Sequence, residues 1–151
     1  MEHRAARIGE EVYSRAFTVH SGDYDRAGET SSTVKGLLKQ VELDPGLIRR
    51  ICIALFEAEM NVVIHAYEGE IQFELTPTNI EITVKDRGPG IEDIELAMQE
   101  GFSTAGEEAR SRGFGAGMGL SNMKKNSDRM KIETKVGVGT TVKMEFDLGG
   151  R

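Results

Sequence analysis

A glutamate and an asparagine four residues apart, Glu57 and Asn61 in "EAEMN", share one face of any helix that carries them. A carboxylate can take up a proton and an amide oxygen can serve a hard cation, so the pair suits proton transfer beside a metal ion. It can equally be a partly exposed pair that the fold satisfies. Asp86 raises a second question, because it continues the even-numbered parity of Ile80, Ile82 and Val84. Either it enters the core and needs a partner there, or it lies past the strand end and caps the turn "RGPG". Third, Gly113, Gly115, Gly117 and Gly119 alternate with other residues in "RGFGAGMGL" and run into a helical stretch. Bare backbone at a helix N-terminus, where N–H groups are free and the dipole is positive, suits an anion. The run fits neither the dinucleotide fingerprint, since no βαβ unit surrounds it, nor a Walker A loop, since no G-K-[ST] follows.

These residues need elements to hold them. "VYSRAFTVH" (Val12–His20) alternates as a first strand. A helix is expected after it, with Ser21 and Asp23 as possible caps and an end near Leu43, weakened by Gly28 and Gly36. The strongest helix has Asp44 as N-cap and Pro45 at its first position, and meets no breaker before Gly69. It carries Glu57 and Asn61 on one side. Glu59 falls on the opposite side among Cys52, Leu55 and Val62, and His65 is best read as a hydrogen-bonded structural residue. "IQFELT" and "IEITVKD" form a hairpin around "PTN". A short helix, "EDIELAMQEGF", a polar loop from Ser103 to Arg112, and a helix from about Met118 follow. "MKIETKV" and "TTVKMEFDL" close the chain as a second hairpin around "GVG". Helices on one face of a mostly antiparallel, mixed sheet give an α+β two-layer α/β sandwich.

Composition narrows the function. At 151 residues one domain, 1–151, is expected. A net charge of −6 opposes nucleic-acid binding, which needs a basic face. The one cysteine, Cys52, lies in an apolar run and reads as a buried structural thiol in a reducing compartment. The N-terminus carries acids and lacks an apolar stretch, so it resembles no secretory signal, and no apolar run is long enough to span a membrane, so a cytoplasmic location is expected.

Taken in order, these features resemble a known family. "ExxxN" on a helix, "DxGxG" after a strand, "GxGxGL" into a helix and "GT" opening a last strand are the signature of the GHKL ATPases. Here they are Glu57–Asn61, Asp86–Gly88–Gly90, Gly115–Gly117–Gly119–Leu120 and Gly139–Thr140, within about residues 50–147. The resemblance implies the Bergerat fold. Within the superfamily, no histidine of this chain is followed by an acid, as a phospho-acceptor histidine would be, and 151 residues leave no room for the extra domains of gyrases and chaperones. The chain looks like the small anti-sigma-factor serine/threonine kinases of bacteria, which carry a carboxylate four residues before the asparagine.

By that resemblance ATP and Mg²⁺ are the cofactors. Asn61 would hold Mg²⁺ against the phosphates, and Asp86 would accept from the adenine amino group with support from Thr140. Gly88 and Gly90 would let the backbone pass close to the base; Gly115, Gly117, Gly119 and Leu120 would line the triphosphate. Glu57 would be the catalytic base for a serine or threonine hydroxyl. The resemblance makes that hydroxyl part of a STAS-domain antagonist, with a sigma factor as alternate partner and a homodimer as a family habit. No membrane or direct nucleic-acid partner is expected. "GFSTA" is similar to the start of the family's ATP lid, in which Arg110 or Arg112 is either solvated or reaches a phosphate. Lys124 or Lys125 is either solvated or contacts a partner. The residues before about 45 match no motif. Two other functions fit the same motifs: a nucleotide-dependent partner switch without phosphoryl transfer, and a detached histidine-kinase catalytic domain.

Overall fold

The computed structural model describes residues 2–3, 12–99 and 119–149. Its strands are β1 (Glu2–His3), β2 (Tyr13–His20), β3 (Glu68–Leu75), β4 (Asn79–Arg87), β5 (Arg129–Lys135) and β6 (Gly139–Asp147). Its helices are α1 (Glu29–Lys39), α2 (Pro45–His65), α3 (Ile94–Ala97) and α4 (Gly119–Asn126), with a 3-10 turn at Tyr24–Arg26. The strands form one sheet in the order β1-β2-β3-β4-β6-β5, and every pair is antiparallel. The expected α+β sandwich is therefore what forms.

Register explains where the core stops and a site begins. Rows of inward side chains run across the sheet: Leu75, Ile80 and Phe146; then Phe73, Ile82 and Met144; then Ile71, Val84 and Val142. All nine are buried, and burying one aliphatic or aromatic side chain stabilises the fold by about 1.5–3 kcal/mol. Val34 and Leu38 of α1 and Leu47, Ile51, Leu55, Val62 and Val63 of α2 complete this core. The next row is different. Gly69 pairs with Asp86, and Thr140 stands beside it on β6, so the apolar face ends in a glycine, a carboxylate and a hydroxyl.

Helix α2 begins as expected: the Asp44 carboxylate accepts from the Leu47 N–H at 3.2 Å, with Pro45 at the first position. It ends at His65, not Gly69, because Ala66 turns extended (φ −97°, ψ 175°) and the chain enters β3. Gly69 has a packing reason instead, since a Cβ there would lie 2.8 Å from a Val62 methyl. Helix α1 starts later than expected. Neither Ser21 nor Asp23 caps it; its N-cap is Gly28, which has no side chain to offer. The cap comes from Glu59, 2% exposed on α2. Glu59 Oε2 accepts from the N–H groups of Gly28 (2.9 Å) and Thr30 (3.3 Å). Its Oε1 accepts from the Ser31 N–H (3.2 Å) and hydroxyl (2.9 Å). A buried carboxylate on the positive end of a helix resolves both the orphan donors and its own desolvation.

Shorter differences are local. α3 occupies Ile94–Ala97 with Asp93 as its cap, its side chain accepting from Leu96 N–H at 3.1 Å. Cys52 is half-buried, and that burial pushes its thiol pKa up. His65, on the last turn of α2, is held below the ordinary histidine range by desolvation. Among the described residues no helix is long and apolar enough to cross a membrane.

Candidate functional site

Asp86 lies within β4, so the parity reading holds and the strand-end reading does not. Its Oδ1 accepts from the Thr140 backbone N–H at 3.1 Å. Half-burial raises the Asp86 pKa, and the Thr140 hydrogen bond partly offsets this. Thr140 itself is buried; its hydroxyl lies 2.9 Å from that of Thr134, directly opposite on β5. The Thr134 hydroxyl also accepts from the Ile91 N–H at 2.9 Å, which ties the segment after the glycine turn to the last hairpin.

The turn fits closely against its neighbours. A Cβ on Gly88 would stand 3.0 Å from Ala66 Cα and 3.4 Å from Asp86 Oδ1. Gly90 has φ +76°, which favours glycine, and a Cβ there would fall 2.6 Å from the Lys135 carbonyl oxygen. Gly88 N–H donates to Val138 O at 3.0 Å, and Gly137 N–H donates to Pro89 O at 2.8 Å. The "RGPG" turn and the "VGVG" turn therefore brace one another, and Gly139 leaves room for the Asp86 carbonyl where any Cβ would collide.

A second group lies on α2. Asn61 faces α4, and a Cβ on Gly119 would come within 3.2 Å of Asn61 Oδ1. Glu57, one turn earlier, is partly exposed, and its Oε2 accepts from Asn122 Nδ2 at 2.8 Å. Leu120 is buried and anchors α4 to the core. The last turn of α2, from Asn61 to His65, connects this group to the Asp86 turn, a rise of about 6 Å along the helix. Helix, turn and hairpin thus place Glu57, Asn61, Asp86, Gly88, Gly90, Gly119 and Thr140 around the C-terminal half of α2. Gly115 and Gly117 lie outside the described residues, as do the loop 103–112 and Arg110 and Arg112.

These residues suit a purine nucleotide and a magnesium ion. A half-buried carboxylate beside bare glycine backbone can receive an amino group, and the Asn61 amide oxygen suits a hard cation whose other ligands are phosphates. Among the described residues no three His, Cys, Asp or Glu side chains converge as a self-sufficient metal cage.

Comparison with known proteins bears on the family and the fold. Residues 46–150 match the model of the "Histidine kinase-, DNA gyrase B-, and HSP90-like ATPase" family. The chain belongs to that family. It is 40% identical over 115 residues to the anti-sigma F factor of Caldanaerobacter subterraneus subsp. tengcongensis, covering 72% of this chain and 77% of the relative. It is 33% identical over 97 residues to the serine/threonine-protein kinase RsbT of Bacillus subtilis, covering 62% of this chain and 67% of the relative. A crystal structure of the RsbU and RsbW domains of a Mycobacterium tuberculosis protein superposes with a TM-score of 0.57 at 18% identity. It covers 89% of this chain, which spans 32% of that longer protein, and it speaks for the fold alone. The resemblance read from the sequence to this ATPase family and its anti-sigma-factor branch is therefore correct.

Two residues at the site were not singled out from the sequence. Thr134 was legible in principle, because pairing around "VGVG" sets it opposite Thr140. Asn122 carried a weaker signal: three residues after Gly119, it lies on the same face of α4.

Proposed function

We propose that this chain is an ATP- and Mg²⁺-dependent protein serine/threonine kinase that serves as an anti-sigma or related regulatory factor, with a STAS-domain antagonist as substrate. The observation carrying the proposal is the Glu57 carboxylate, oriented by Asn122 one helical turn from Asn61 and Gly119. The names of the anti-sigma F factor and of RsbT support the same reading.

Asn61 Oδ1 would be a ligand to Mg²⁺, which neutralises phosphate charge when bound. Asp86 accepts the adenine amino hydrogen, with Thr140 N–H fixing the carboxylate and Gly88 and Gly90 leaving space for the ring. By the resemblance Gly115, Gly117 and Gly119 would line the phosphates, with backbone N–H groups as donors. Glu57 takes the proton of the substrate hydroxyl as that oxygen bonds to the γ-phosphorus, and the bond from phosphorus to the departing ADP oxygen breaks.

The test is incubation with γ-labelled ATP, Mg²⁺ and, singly, each STAS-domain protein of the source genome. Acid-stable label on serine or threonine of one of them is expected. Glu57→Gln should slow transfer by roughly 10²–10⁴-fold, the usual contribution of a positioned base. Equal labelling by wild type and Glu57→Gln removes Glu57 from the base role. No transfer together with ATP-dependent retention of a STAS-domain protein identifies a partner switch without catalysis.

A further inference from the structure

Helices α2 and α4 meet along a polar seam. Arg50 Nη1 donates to Asn126 O at 3.3 Å, Asn122 Nδ2 donates to Glu57 Oε2 at 2.8 Å, and Asn61 Oδ1 abuts Gly119. Arg50, Glu57 and Asn61 share one face of α2; Gly119, Asn122 and Asn126 share one face of α4, in antiparallel order. Leu120 and Met123 pack beside the seam and are buried, so α4 is a seated helix. The Asn126 side chain is itself occupied, its Nδ2 donating to the Asn122 carbonyl at 2.8 Å.

The central contact is chemically specific. An ionised carboxylate only accepts, so the amide nitrogen of Asn122 must face it; the amide oxygen in that place would set lone pair against lone pair. Among the described residues Asn122 is the one side chain that hydrogen-bonds the Glu57 carboxylate. A neutral donor fixes the rotamer without a positive charge that would hold the proton-accepting oxygens in an ion pair. It engages Oε2, and among the described residues no other side chain bonds the carboxylate, so Oε1 is the oxygen to be aimed. Asn122 also sits one turn after Gly119 on α4, so the aim of the carboxylate depends on how that helix is seated.

We propose that Asn122 is the positioning residue of Glu57: its amide sets the carboxylate for proton removal and makes that setting depend on the seating of α4. The proposal rests on the kinase reading above.

The test compares Asn122→Ala, Asn122→Asp and Asn122→Gln with wild type under single turnover. Each is assayed with labelled ATP and the STAS-domain protein that wild type phosphorylates. The alanine variant should lower kcat roughly 10–100-fold, a positioning effect, with the KM for ATP and the Kd for a fluorescent ADP analogue changed less than about twofold. Aspartate replaces the donor with a second carboxylate of the same size and should lose more; glutamine keeps the amide and should recover part of the rate. In a Glu57→Gln background, Asn122→Ala should cost almost nothing further, since the group it positions is gone.

Retention of the wild-type rate by the alanine and aspartate variants overturns the positioning role while the kinase reading stands. So does an equal loss in the wild-type and Glu57→Gln backgrounds, or a fall in rate matched by falls in Tm and nucleotide affinity. Those outcomes mark Asn122 as helix-to-helix adhesive. Absence of label transfer by wild type to every STAS-domain protein tested removes the kinase reading and this proposal with it.

Discussion

Glu57 and Glu59 stand two residues apart on the same helix and meet opposite surroundings. Glu59 is sealed inside the protein, with both oxygens occupied by three backbone N–H groups and a hydroxyl. Glu57 is partly exposed, and Asn122 holds its Oε2. A carboxylate saturated with donors has no lone pair left for a substrate proton, whereas one fixed on a single side keeps acceptor capacity. The distinction lies in what each meets across the helix: for Glu59 the bare start of α1, for Glu57 one amide beside a glycine-rich helix start.

The largest effect should come from emptying the buried position. Glu59→Ala strands the donors that open α1 and should cost on the order of 3–5 kcal/mol. For a domain of this length that is a fall in Tm of about 10 °C, read by thermal denaturation. Glu59→Gln should cost less, but it must turn an NH₂ toward a backbone N–H, because both oxygens of the native side chain are engaged. The contrasting variant, Glu57→Gln, should leave Tm unchanged while slowing transfer. A Glu59→Ala protein that melts within about 2 °C of wild type would collapse the distinction drawn here.

Asp86 lies between the two, half-buried with one backbone donor, and it sharpens the comparison. Asp86→Asn keeps an oxygen for the Thr140 N–H and removes the charge that burial disfavours. Its Tm should not fall, yet its affinity for a fluorescent ADP analogue should drop roughly 10–100-fold, the worth of a charged hydrogen bond. Unchanged affinity would take Asp86 out of the nucleotide pocket.

A smaller effect concerns pH. The folded-state pKa of Asp86 is raised, so its contribution to stability is fully present below the ordinary value of 3.8 and is lost as pH rises through the higher folded value. Relative to Asp86→Asn, the unliganded wild type should therefore lose ground in Tm between roughly pH 4 and pH 7. A gap that stays constant over that range would mean that the carboxylate is as well solvated folded as unfolded.

Much of this architecture was legible in the sequence where the signal is local. Asp44 and Pro45 mark the start of α2, strict alternation marks β3 and β4, and the parity of Ile80, Ile82 and Val84 carries through to Asp86. Glu57, Asn61, Asp86 and Thr140 were singled out because their order matches a known signature. What stayed hidden depends on contacts distant in sequence. Glu59 is satisfied by a helix start 28 to 31 residues earlier, and the only trace of this is that α1 opens on Gly28, which cannot cap itself. Asn122 and Glu57 are 65 residues apart, and no periodicity within either helix reveals which face will meet. The early end of α2 at His65 escaped notice because Ala66 and Tyr67 are no helix breakers; β3, pairing with β2 and β4, claims the chain instead.

The bracing of the "RGPG" turn by the final hairpin has a consequence during synthesis. Strand β6 sits between β4 and β5 but leaves the ribosome after both, so β4 waits with an open edge and β5 with no partner. The donors and acceptors that fix Asp86 and the turn, from Thr134, Gly137, Val138 and Thr140, arrive together, after β4 and the turn itself have been made. A ligand held at this turn therefore has no finished site to template before β6 has been made. It locks a sheet that is already complete, adding stability by mass action.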